Sequence, residues 1–236
     1  MRKQGPVPGR LIRVSAVALG VGLLVAGCSV GPVKVGSAAI VGDQRITIAT
    51  LDTEVTNLSE AVKQYPGTVQ LSQEQQTQQT LTWLVRFQIN EELARQAGIT
   101  VTTAQADKAL AEIYAAAKSE AEAQGITNVS LNLIMAANGI PPNLAPELGR
   151  YQAINDEFVK QANGGTEPTT TAEQSATTAK LQHAQCVAAK NLNIQINPQF
   201  GQLDYSQYQV VSAPNPVARS AGPTAPASPV ATAPTC

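Results

Sequence analysis

Few residues in this chain have the type and spacing to do chemistry. Glu91 and Glu92 are adjacent carboxylates. On a helix, neighbours diverge by about 100°, so the two cannot converge on one substrate atom as acid and base. They are expected to be solvated helix charges. His183 and Cys186 stand three residues apart and could share a metal ion from one helical face. Two ligands do not make a zinc site, which needs four, or three and a water. Gly164-Gly165 runs into Thr-Glu-Pro-Thr, without the Gly-Lys-Ser/Thr that completes a phosphate-binding loop. With one His and three Cys in 236 residues, the chain is predicted to hold no catalytic constellation, no metal and no cofactor.

One cysteine does have a chemical context. Arg2, Lys3, Arg10 and Arg13 precede an uncharged run from Val14 to Ala26, which ends in Leu24-Val25-Ala26-Gly27-Cys28. A run of about 13 apolar residues suits a signal-peptide core, and falls short of the ~20 needed to span a bilayer. The ending resembles the bacterial lipobox, in which small residues precede a Cys that is diacylated and becomes the mature N-terminus. Residues 1–27 are therefore expected to be a lipoprotein signal peptide, Cys28 the lipidated residue, and 28–36 a linker. The competing reading is an uncleaved anchor with an incidental Cys. Lipidation would tether the protein to the extracytoplasmic face of the cell membrane. Cleavage before Cys28 removes four basic residues and no acid, taking the net charge from -1 to -5. A mildly acidic chain is not drawn electrostatically to anionic lipid or nucleic acid, so acyl chains must do the tethering and no nucleic-acid partner is expected.

Cys186 and Cys236 then remain. The extracytoplasmic compartment permits oxidation, and in the chain-entropy model closing a ~50-residue loop restricts the unfolded chain by about 4 kcal/mol. A flexible tail spends little time near any one site. A disulfide and two free thiols are both open at this point.

The elements that would position such residues are mostly helical. Charged residues make up only 14% of the chain, so polarity comes from Gln, Thr, Asn and Ser. Residues 38–47, AAIVGDQRIT, place apolar β-branched residues around a Gly-Asp turn and read as a hairpin. Thr47 can cap a helix carrying Leu51, Val55, Leu58, Val62 and Tyr65 on one stripe, ended by Pro66-Gly67. A second helix starts with Ser72 and Gln75 as a capping box, opens with Gln and Thr, then becomes apolar around most of its circumference. It is the expected spine, closed by Gly98. Thr102 and Gln105 cap a third helix with Ala106, Leu110, Ile113 and Ala117 on its stripe. Leu131, Ile134 and Met135 mark a short fourth, and Leu144, Leu148, Tyr151 and Phe158 a fifth. Glu173 to Asn191 reads as a sixth, and Leu192, Ile194 and Ile196 alternate with polar residues as a returning strand. Six of the 15 prolines lie beyond Ala213, so residues 213–236 are expected to form a disordered Pro/Ala/Thr-rich tail. The fold class is mainly α with a small antiparallel sheet.

Residues 38–47, followed by a helix opening with Leu51-Asp52, resemble the start of SurA/PrsA-type foldase chaperones. The segment Ile194-Gln195-Ile196-Asn197-Pro198-Gln199-Phe200-Gly201 resembles the closing strand of the family's actinobacterial lipoprotein members. The resemblance implies a multi-helix SurA N-terminal, trigger-factor-like peptide-binding domain over 37–212, in which residues 38–46 pair with 192–197. Full foldases carry a parvulin-type prolyl isomerase domain before the returning helix. Here residues 163–171 form only a linker, and the family's usual Trp is replaced by Leu203.

The reading that follows is a membrane-anchored chaperone-like lipoprotein of the cell envelope, binding unfolded or newly exported polypeptides without isomerase activity, and so not an enzyme. The alternative is a structural or adaptor lipoprotein binding one folded partner. Trp83, Phe87, Tyr114, Met135 and Tyr151 are the candidate peptide contacts, with core packing as their competing role. Binding is expected to rest on apolar burial with little salt dependence. A chaperone needs a large exposed apolar groove, an adaptor only a smaller patch.

Overall fold

The computed structural model describes residues 35–67, 69–213 and 236. Cys28, the expected signal peptide and most of the Pro-rich tail lie outside these residues.

Strands β1 (Ser37–Val41) and β2 (Gln44–Thr47) form an antiparallel hairpin. Its Gly42 has φ +59°, and a Cβ there would lie 2.8 Å from Leu192 Cδ2. Glycine therefore answers both the left-handed turn and the approach of Leu192, whose carbonyl accepts from Gly42 N at 2.6 Å. The free edge of β1 pairs with β3 (Gln195–Ile196), setting Ala39 opposite Ile196 and Ile40 opposite Gln195. Asn197 extends the closure, donating from its backbone N to Ala38 O at 2.9 Å and from Nδ2 to Ser37 O at 3.0 Å. The expected pairing of the two ends is present. The returning strand is shorter than the alternation from Leu192 suggests, because Leu192 caps the last helix in an αR conformation and Asn193 turns with φ +45°.

Helix α1 (Ile48–Lys63) is capped by Thr47, whose Oγ1 accepts from Thr50 N at 3.0 Å. Leu51 and Leu58 on its stripe are fully buried. Helix α2 (Gln73–Ala97) begins with the capping box between Ser72 and Gln75 and ends at Gly98, φ +66°. It is the spine. One side carries Leu81, Val85, Ile89 and Leu93 into a core with Ala38, Val41, Leu51 and Ala188. Another carries Phe87 into a cluster with Met135, Leu144 and Leu148. Burial on two sides explains why its apolar residues fall in nearly all directions.

Helix α3 (Thr103–Ala123), with its capping box between Thr102 and Gln105, packs closely along α5 (Ala145–Ala162). Gly149 lies at that contact, where a Cβ would meet Ala106 O at 2.5 Å. Helix α4 (Leu131–Ala137) and a 3-10 turn, Pro142–Leu144, connect the two. Helix α6 (Thr171–Asn191) follows α5 after a short loop and starts with a third capping box, between Thr170 and Glu173. A second hairpin, β4 (Gln202–Asp204) and β5 (Gln209–Val211), lies against α2. Sequence patterning does not signal that hairpin. The class is mainly α with small antiparallel sheets, as expected. No described helix is long and apolar enough to cross a membrane.

Candidate functional site

Gln75, Gln78, Gln79, Thr82, Trp83, Arg86 and Asn90 recur on α2 at spacings of three and four, so they share one helical face. The β4–β5 hairpin docks on this face through hydrogen bonds from polar side chains of α2. Thr82 Oγ1 accepts from Val210 N at 2.8 Å and donates to Gln78 O at 2.7 Å. Arg86 donates from Nε to Tyr208 O at 3.1 Å and from Nη2 to Gln207 O at 2.8 Å. Ser212 Oγ accepts from Gln78 Nε2 at 2.9 Å and donates to Glu74 Oε1 at 2.7 Å. Leu203 and Val210 of the hairpin also join the apolar cluster of Leu81, Val85 and Ile89, and space remains beside the longer polar side chains.

That space is a cleft with Arg86 at its middle. On one side a cavity of about 470 Å³ is lined by Arg86, Ile89 and Asn90 of α2, Tyr151 of α5, Gln182 and Gln185 of α6, and the turn at Ser206–Tyr208. On the other, a cavity of about 350 Å³ lies between Gln75, Gln79 and Trp83 of α2, Asn138 after α4, and β5. Side-chain amides dominate both walls. Each Gln or Asn amide offers donors and an acceptor together, the same pair that a peptide group presents. Arg86 is half-buried and stacks over Trp83, its guanidinium carbon 5.2 Å from the ring centroid. Burial draws its pKa down, partly countered by Tyr151; the group stays a cation at any physiological pH. Burial also pushes the Tyr208 phenol up, so both are in their ordinary charge states.

A family model for the SurA-like N-terminal domain matches residues 9–128. The chain belongs to this family. Membership makes it a domain of chaperone type. No parvulin-type domain is matched. No curated protein and no solved structure matches the chain. The SurA-like stretch includes β1, β2 and α1–α3, and hence the whole polar face of α2. Tyr151, Gln182, Gln185 and the hairpin come from beyond it.

In this SurA-like domain the candidate contacts separate. Tyr151 lines the larger cavity of the cleft and Trp83 the smaller. They stack edge-on with centroids 5.9 Å apart, and Trp83 Nε1 donates to Asn138 O at 3.3 Å. Phe87 and Met135 do not qualify as surface contacts, at 8% and 0% exposure. Both fill the core beneath the aromatic pair, where their apolar surface is removed from water. Tyr114 donates to Val129 O at 3.1 Å, bracing the loop after α3, and lines neither cavity. The described surface offers little exposed apolar area. Val35 and Ile126 are the exposed large apolar residues among those described, and the cleft is polar.

The remaining chemical candidates resolve simply. Glu91 receives a two-pronged pair from Arg150, with Nη2 to Oε2 at 2.9 Å, while Glu92 accepts from Arg95 Nε at 2.7 Å. The adjacent acids point to different partners, as helical geometry requires. Among the described residues no group of three His, Cys, Asp or Glu could hold a metal ion. Cys186 is disulfide-bonded to Cys236, with Cα atoms 5.7 Å apart. Arg86, Asn90, Gln182 and Gln185 were not singled out from sequence. The spacing of amides along one face of α2 was the available signal.

Proposed function

We propose that this protein is a lipid-anchored, extracytoplasmic chaperone-like module that holds segments of non-native polypeptide in the α2 cleft without catalysing prolyl isomerisation. The amide-lined cleft carries the reading. Extended main chain supplies alternating donors and acceptors whatever its sequence, and glutamine and asparagine amides can pair with either. Membership in the SurA-like family supports a chaperone-type role. The connection from Ala162 to Thr171 is too short to contain an isomerase domain, and nothing among the described residues offers a substitute. The scarcity of exposed apolar residues favours recognition of short segments over broad hydrophobic capture. It also keeps the adaptor reading in play, since one folded partner could present a single polar loop.

A soluble form beginning at Ser29 tests both. It is expected to slow aggregation of an unfolded client and to leave the proline-limited phase of the client's refolding unchanged. Gln79→Ala with Gln182→Ala should weaken the protection. Faster proline isomerisation would refute the non-catalytic reading. Inactivity on several clients, with capture of one folded envelope protein, would establish the adaptor. Metabolic acyl labelling that marks wild type and misses Cys28→Ala would demonstrate the anchor; equal labelling of both would remove it.

A further inference from the structure

We propose that the cavity around Arg86 and Asn90 recognises the C-terminal carboxylate of a bound polypeptide. This rests on the cleft being a polypeptide site and assigns which part of the chain it takes. Among the described residues Arg86 makes no ion pair, and no acidic side chain lines the cavity. Asp204, at the end of β4, is engaged by Ser206, whose N and Oγ both donate to its Oδ1, at 2.8 and 2.7 Å. A half-buried cation without a counterion is an anion site waiting to be filled. Nε and Nη2 are committed to the hairpin, which fixes the guanidinium plane, while Nη1 makes no hydrogen bond among the described residues.

The second observation is Asn90. It is 1% exposed, its Nδ2 donates to Tyr151 O at 2.9 Å, and its Oδ1 has no partner. A buried acceptor left unpaired calls for an N–H donor. Arg86 and Asn90 are one helical turn apart, with Cβ atoms of such a pair about 5–6 Å from each other. A free chain end offers the matching pair: a terminal carboxylate, and one or two residues back, at ~3.3–3.6 Å per residue, a main-chain N–H. Gln182 and Gln185 on the facing helix can meet the peptide groups between.

The test uses the full chain in detergent micelles and a fluorescent hexapeptide of Gly, Ser and Leu, as its free acid and as its C-terminal amide. The free acid is expected to bind roughly tenfold more tightly, the scale of one charge-assisted hydrogen bond. Gln182→Glu with Gln185→Glu puts acids opposite Arg86 on the solvent-accessible cleft wall of α6, where folding should tolerate them. That variant should bind both peptides alike and weakly. Equal binding of acid and amide by wild type would overturn the carboxylate assignment and leave the cleft as a polypeptide site. No binding of either peptide would overturn both. Displacement of the free acid by inorganic phosphate at millimolar concentration would show a general anion pocket and refute recognition of a chain end.

Discussion

Helix α2 presents two faces with opposite packing. Toward the sheet of β1–β3 it buries Leu81, Val85 and Ile89, against Ala38, Val41 and Leu51, with no exposure above 3% among these six residues. Beside the β4–β5 hairpin, whose Leu203 and Val210 join that same core, it presents amides, Arg86 and Trp83, and two cavities remain. Apolar side chains with few rotamers interdigitate until space is filled. Gln and Arg side chains stop where their hydrogen bonds are met, and the gaps they leave are polar. One helix can thus be the centre of the core and the wall of a binding cleft.

The strongest way to break this contrast is to truncate the packed face. Leu81→Ala should cost about 2–5 kcal/mol in chemical denaturation, whereas Gln182→Ala on the cleft wall should stay within about 0.5 kcal/mol. Comparable losses would mean that the cleft is closed in solution. Gly149→Ala sets two effects against each other at the α3–α5 contact. Helix propensity favours Ala by about 1 kcal/mol, but the new methyl meets Ala106 O at 2.5 Å and overpacking costs about 1–3 kcal/mol. The thermal midpoint is expected to fall; a rise would show that the two helices can separate freely. Thr170→Ala removes the α6 cap and should cost about 1 kcal/mol.

The smallest effect is pH-dependent. Hydrogen bonds from the backbones of Thr170 and then Thr169 draw the Glu173 carboxyl below its ordinary value. A depressed folded-state pKa gives stability that is present above the unfolded value and lost as pH falls through the folded one. The wild type should therefore be more stable than Glu173→Ala at neutral pH, and part of that difference should vanish in acid, below the ordinary glutamate range. A gap that widens in acid would contradict the cap. Thiol counting on unreduced protein with Cys28 removed should find none, as two would exclude the Cys186–Cys236 bond.

Local chemistry was legible in the sequence where a few neighbouring residues decide it. Ser72 with Gln75, and Thr102 with Gln105, announce their helices because both partners of each cap lie within one turn. The pairing of β1 with β3 was legible for another reason: both ends alternate, and each needs a partner strand. The β4–β5 hairpin was not. Its strands are three residues long, and they are fixed by Thr82 and Arg86 from a distant helix, through Val210 N, Tyr208 O and Gln207 O. The cleft was missed with it. Gln75, Gln78 and Gln79 read as a solvated first stretch of helix until the hairpin is laid over them.

The closing bonds of Asn197 to Ser37 and Ala38 join residues some 160 positions apart. A chain that emerges N-terminus first therefore holds an incomplete sheet until nearly all of its folded part has appeared. Contacts of such sequence separation are late to form. Throughout that interval Ala38, Val41, Leu81 and Val85 lack their final cover, and partly folded chains with such surface are prone to aggregate. Before it can shield another polypeptide, the newborn molecule passes through the state it is proposed to recognise.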